Sequence, residues 1–224
     1  MSEVDKLIID YCEKNKVTYR DIILHGSQSI GFANENSDYD YLVIVDEDKY
    51  GKIDTFVDIK KRKIQVEFMT IENLKKELED YESRLMKTTM DLNLIAGRIY
   101  MGKRIIKQDK ELDEIMERYR PFLQKKKLIE KFVLQAVNFY SDCKTTDEIL
   151  RKYSINMMAK SIGIAFLISK DVYWLNIKWQ HKFLEKLMNA ECYDLYSKLR
   201  FHMDNLRDED ISIYSKKILK LIEY

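Results

Sequence analysis

Proline is almost missing from this chain, which has one at position 121, and glycine occurs only six times in 224 residues. So small a supply of chain breakers predicts long regular elements joined by few loops. Cysteine is nearly as scarce: Cys12, Cys143 and Cys192 are odd in number, far apart and outside any CxxC or Cys/His spacing. This pattern argues against a disulfide framework and a zinc site and fits the free thiols of a cytoplasmic protein. No uncharged apolar run approaches the roughly 18–20 residues that span a bilayer, so no membrane segment is expected. An excess of charge is also lacking, because 39 Lys and Arg face 38 Asp and Glu, a formal net charge of +1. A chain so balanced has no global field to hold a polyanion, and a nucleic-acid partner is not expected. Internal repeats and low-complexity tracts are absent as well. What the chain has is a hydrophobic share of 46%, ample for one large domain or two small ones.

Leu7, Ile8 and Tyr11 recur at helical spacing after Ser2 and Asp5, both capping residue types, and predict a short amphipathic helix to about Lys14. Asp21–His25 and Tyr41–Val45 are brief apolar runs that stop at Gly26-Ser27 and at the acidic turn Asp46-Glu47-Asp48, the pattern of strands buried on both faces. Thr55–Ile59 and Ile64–Phe68 flank Lys60-Lys61-Arg62-Lys63, which predicts a hairpin with a basic tip. From Thr70, a candidate cap, Leu74, Leu78, Tyr81 and Leu85 repeat every three or four residues, and no convincing strand follows the stretch around Arg98–Met101. Gly97, Gly102 and Pro121 place a change of domain near residues 105–122. The expected division is 1–110 and 111–224, with helices of a bundle at about 125–141, 147–169, 179–189 and 211–222.

The chemistry concentrates between Leu24 and Val45, with one outlying residue. Gly26-Ser27 leaves a strand and enters a helical turn, where backbone amides and a hydroxyl can meet phosphate and the missing β-carbon permits close approach. Asp38 and Asp40 stand two apart at the entry to the next strand, so the pleat sends both carboxylates to one face. Glu67 points opposite Val66 and Phe68 and reaches the same face if its strand pairs beside the aspartates. Three hard oxygen donors suit octahedral Mg²⁺ far better than zinc. A pair of such ions held by carboxylates supports in-line phosphoryl chemistry with few other residues. An Asp-x-Asp alone is common at strand ends; its value lies in the Gly-Ser turn before it and the strand glutamate after it.

These three features, the Gly26-Ser27 turn, Ser37-Asp38-Tyr39-Asp40-Tyr41 and the apolar-Glu67-apolar strand, resemble the signature of the DNA polymerase β-like nucleotidyltransferase superfamily. Lys160–Ile168 followed by Val172–Trp179 is similar to the helical region of small antibiotic-modifying members of the kanamycin and lincosamide type. The resemblance implies an α+β fold, a mixed sheet flanked by helices and followed by a helical bundle. It also implies a nucleoside triphosphate donor, two Mg²⁺ ions on Asp38, Asp40 and Glu67, and triphosphate contacts from Gly26, Ser27 and a bundle lysine, Lys160 or Lys178. The implied acceptor is a small hydroxylated molecule such as an aminoglycoside- or lincosamide-like antibiotic. Two other readings stand beside it: an antitoxin-type enzyme acting on a partner protein, and a catalytically silent nucleotide-binding relative.

One departure bears on the acceptor. Aminoglycoside-modifying relatives place a glutamate base on the first long bundle helix, whereas Phe132–Tyr140 offers only Gln135 and Asn138, with Glu130 or a metal-site carboxylate as substitutes. Several other residues read more simply as structure. His25, His181 and His202 are expected to pack or hydrogen-bond, the Lys60–Lys63 tip and Lys125–Lys127 to be solvated, and Tyr173, Trp174 and Trp179 to fill a core.

Overall fold

The computed structural model describes residues 1–47, 53–58, 60–87, 95–106, 109–120 and 124–222. Asp48, Ile59 and Pro121, used above as turn, strand-end and breaker signals, lie outside them. The chain forms two compact units, Met1–Ser83 with Leu94–Pro121, and Arg84–Asn93 with Phe122–Tyr224.

The first unit opens on helix α1 (Glu3–Lys14). Its start is fixed by a reciprocal cap: the Asp5 amide donates to Ser2 Oγ at 3.1 Å and the Ser2 amide donates to the Asp5 carboxylate at 2.6 Å. Strands β1 (Tyr19–His25), β2 (Tyr39–Val45), β3 (Ile53–Val57), β4 (Lys63–Thr70) and β5 (Lys103–Arg104) form one sheet in the order β3-β4-β2-β1-β5. β2 and β4 run parallel and the other neighbours antiparallel, so the sheet is mixed and the fold α+β. Period-two alternation then divides the sheet. Ile22, Leu24, Tyr41, Val43, Val45, Ile64 and Val66 pack with Val4, Ile8 and Cys12 of α1 in one core. Asp21, Ile23, His25, Asp40, Leu42, Ile44 and Glu67 take the other face.

The β3–β4 hairpin and the Thr70 cap, which accepts from the Asn73 amide at 3.2 Å, agree with the sequence reading. The helical period beyond Thr70 does not run unbroken. A turn at Asp80 splits it into α3 (Ile71–Glu79) and α4 (Tyr81–Lys87), although Leu74, Leu78, Tyr81 and Leu85 are all buried as the spacing requires. Helix α5 (Ile95–Tyr100) carries Arg98. A strand does follow that stretch: β5 pairs Lys103 and Arg104 with Leu24 and Ile23. With two residues it is too short to leave a periodic signal. It needs Gly102, where a β-carbon would stand 2.7 Å from Ile23 Cγ2. Helix α6 (Lys110–Arg118), capped by Asp109, closes this unit's described elements.

In the second unit the helices are α7 (Lys125–Asp142), α8 (Glu148–Ser169), α9 (Ile177–Leu187), α10 (Ala190–Phe201) and α11 (Asp208–Leu219). Of these α10 is the addition to the sequence reading; Asn189 caps it and Cys192, Leu195, Tyr196 and Leu199 form its buried stripe. α8 is buried almost without a break from Met157 to Ser169, as befits a helix surrounded by others. Gly163 lets Tyr196 and Leu184 approach it, since a β-carbon there would meet Tyr196 Cε2 at 3.0 Å and Leu184 Cδ1 at 3.1 Å. Among the described residues no helix is long and apolar enough to cross a membrane.

Candidate active site

β1 ends at His25 and the chain turns at once into the single helical turn α2 (Gly26–Ser29). Gly26 makes this possible with φ +73°, a left-handed conformation that L side chains rarely adopt. Space makes the same demand, because a β-carbon on Gly26 would lie 2.2 Å from Asp40 Oδ2. The Asp40 carboxylate is thus packed directly against the Gly26 backbone. Ser27 is buried beside it at 7% exposure, and no side chain caps the start of the turn.

The register places the acids. His25 lies opposite Asp40 across β1 and β2, while Asp40 lies opposite Gln65 and Leu42 opposite Glu67 across β2 and β4. Asp38, Asp40 and Glu67 therefore share one face, with Glu67 displaced one pleat further along. Local partners aim the two aspartates differently: Asp40 faces Gly26, and Asp38 Oδ2 accepts from Lys63 Nζ at 2.7 Å. Among the described residues, no group of three or more His, Cys, Asp or Glu side chains is gathered so as to hold a metal ion. Lys63 pairs with Asp38, and the hydrogen bond and charge of Asp38, with a lesser contribution from the Asp40 charge, raise its pKa. Asp38 and Asp40 offer hard oxygen donors, the ligand type that divalent ions such as Mg²⁺ take.

The Lys60–Lys63 tip is solvated as expected, its three lysines exposed, but the Lys63 contact with Asp38 was not foreseen. The available signal was period two: Lys63, Gln65 and Glu67 share a face of β4, and Asp38 precedes the partner strand. Two other residues of the tip are paired, Lys60 with Glu3 at 2.6 Å and Arg62 Nε with Asp58 at 2.7 Å. Between this tip and the loop from Ala33 to Asp38 lies a polar cleft of about 590 Å³, lined in part by Gln28, Asn34, Asp38, Lys61 and Lys63.

His25 packs, as expected. It is 2% exposed, and among the described residues neither ring nitrogen has a hydrogen-bond partner; nor does the buried Nε of Arg98. Burial and the nearby Arg98 charge push the imidazole pKa down to about 3, so the ring is neutral at physiological pH.

The second unit holds the other candidates. Lys160 is 4% exposed in the middle of α8. Lys178 stands on the first turn of α9 with its ammonium 4.8 Å from the centre of the Trp179 ring. Trp174 is buried and Trp179 half-buried, their rings 6.3 Å apart, in keeping with a packing role. On α7, Glu130 and Asn138 are exposed, while Gln135 is half-buried with its Oε1 unpartnered among the described residues.

No curated protein matches the chain. Among solved structures it is similar to a nucleotidyltransferase-like protein from Exiguobacterium sibiricum 255-15, with 11% identity, 98% of this chain and 74% of that chain covered, and a TM-score of 0.47. The family model for the nucleotidyltransferase domain matches residues 4–139, a span that holds the whole sheet, the Gly26 turn and all three acids. With more than half its length in that match, the chain belongs to the polymerase β-like nucleotidyltransferase family and is a nucleotidyltransferase.

Proposed function

We propose that the protein transfers a nucleoside monophosphate from a nucleoside triphosphate to a hydroxyl of a small acceptor, and that Asp38, Asp40 and Glu67 hold the Mg²⁺ ions this requires. In the reaction the acceptor oxygen, giving up its proton, bonds to the α-phosphorus as the bond to the bridging oxygen breaks, and pyrophosphate leaves. Bound Mg²⁺ supplies charge neutralisation at the phosphoryl group and a lowered pKa for the attacking hydroxyl. The chain's own residues do the positioning. Asp38 and Asp40 present oxygens from adjacent pleats, Glu67 offers a third from the parallel neighbour strand, and Gly26 and Ser27 present backbone and hydroxyl to the triphosphate.

The observation that carries this reading is the fit of Gly26 to Asp40. A glycine there lets the backbone of the turn sit directly against the Asp40 carboxylate, which brings the turn's amides and a metal-binding type of oxygen within one contact distance of each other. A small acceptor is favoured by the polar cleft beside Asp38, whose size of about 590 Å³ is that of a small-molecule site. The near-neutral net charge of +1 points the same way. Antibiotics of the aminoglycoside or lincosamide class are the first acceptors to test.

The experiment is a pyrophosphate-release assay with Mg²⁺, each labelled nucleoside triphosphate and a panel of hydroxylated small molecules and proteins. Transfer to a small molecule is expected, lost in Asp38→Asn with Asp40→Asn and lost on chelation of the metal. Wild-type rates from the double variant would show the chemistry to lie elsewhere.

A further inference from the structure

Four groups converge where β2 and β4 begin. Lys63 is the first residue of β4, and its ammonium lies 2.7 Å from Asp38 Oδ2 with side-chain exposures of 52% and 33% for the pair. Asp40 adds its charge from the next pleat position. Lys63 also lines the polar cleft, along with Lys61. Lys63 thus sits on the boundary between the carboxylates and the cleft.

An ion pair so open to water is held weakly, by well under the energy that fixes a buried pair. A divalent ion carries twice the charge in a smaller volume and competes directly for the same oxygens. We infer that Lys63 is an exchangeable counter-ion of the aspartate pair: it gives up its place on Asp38 to a divalent ion and carries its charge into the cleft, where it meets phosphate oxygens of the substrate. One residue then couples two events. It opposes metal loading when no substrate is present and favours the metal–triphosphate complex when one is, so ions are retained chiefly together with their nucleotide. Lys63 is a positioning residue in this scheme, since it stabilises charge beside the reacting atoms without exchanging a proton or a bond. The inference rests on the reading of Asp38 and Asp40 as metal ligands.

Its signature is a pair of effects of opposite sign. Mn²⁺ binding to the full chain is followed by electron paramagnetic resonance, and binding of inorganic tripolyphosphate at saturating Mn²⁺ by calorimetry, a probe that leaves base preference aside. Lys63→Gln is expected to bind Mn²⁺ alone about three- to tenfold more tightly than the wild type and tripolyphosphate at least about threefold more weakly, magnitudes set by a screened surface charge. Lys63→Arg, which keeps the charge, is expected to follow the wild type in both. Lys63 is half exposed at the first residue of β4, and a general loss of structure, which would weaken both ligands, is separable by its sign. Equal or weaker Mn²⁺ affinity in Lys63→Gln, or unchanged tripolyphosphate affinity, overturns the inference. If instead Asp38→Asn with Asp40→Asn binds Mn²⁺ as the wild type does, the metal-site reading itself fails and takes this one with it.

Discussion

At the scale of single residues, Gly26 is the most constrained position in the site. Its φ of +73° and the 2.2 Å that would separate a β-carbon from Asp40 Oδ2 are two independent demands for the same residue. Gly26→Ala is therefore expected to push the Asp40 carboxylate aside by about an ångström and lower transfer by about 100-fold or more. The strained backbone should cost about 1–3 kcal/mol of stability. Steady-state kinetics beside a urea titration separates the two effects, and a variant with wild-type kcat would refute the role given to this contact. Glycine followed by serine after an apolar run was enough to mark the turn from sequence. Which atom the missing side chain makes room for was not, since Asp40 is fourteen positions away along the chain.

At the scale of elements, α1 and the sheet are tied by a buried polar contact as well as by apolar packing. Tyr41 on β2 donates to Asp5 Oδ1 at 2.9 Å, and the same carboxylate completes the α1 cap. Burial raises the Asp5 pKa, but the Ser2 amide, the Tyr41 hydroxyl and the Ser2 hydroxyl together outweigh it and hold the carboxyl below its ordinary value. Tyr41→Phe should cost about 1.5–3 kcal/mol, the range for a hydrogen bond to a charged group, measured as a shift in denaturation midpoint with an unchanged m-value. A change under about 0.5 kcal/mol would mean that water takes over the hydroxyl's place. The elements themselves were mostly legible: α1, β1, β2, the β3–β4 hairpin and the Thr70 cap follow from period and cap chemistry. Those that escaped were short or cryptic. β5 has two residues, and α10 presents its buried stripe among Glu191, Asp194 and Lys198, which dilute it.

At the scale of the whole molecule, the buried ionisable groups shape stability against pH, and His25 dominates the mildly acidic range. Its folded pKa of about 3 lies below the unfolded value near 6.5, so the unfolded chain binds a proton that the folded one refuses. The stability of the neutral form is complete above about pH 6.5 and is lost as pH falls toward 3, at no more than about 1.4 kcal/mol per pH unit for one proton. Denaturation midpoints between pH 7 and 4 should fall in the wild type and fall less in His25→Phe; parallel curves would show that the imidazole is not the group responsible. The sequence by itself determined the class of this protein. Apolar period, Gly-Ser, the two aspartates and a strand glutamate are local patterns, and local backbone geometry converts each into an element or a facing direction. Only the tertiary structure decided what those residues meet. Parallel pairing of β2 with β4 brought Lys63 onto Asp38, antiparallel pairing of β1 with β2 put His25 opposite Asp40, and burial left that histidine without a hydrogen-bond partner among the described residues, because register and solvent exclusion depend on residues far apart in the chain.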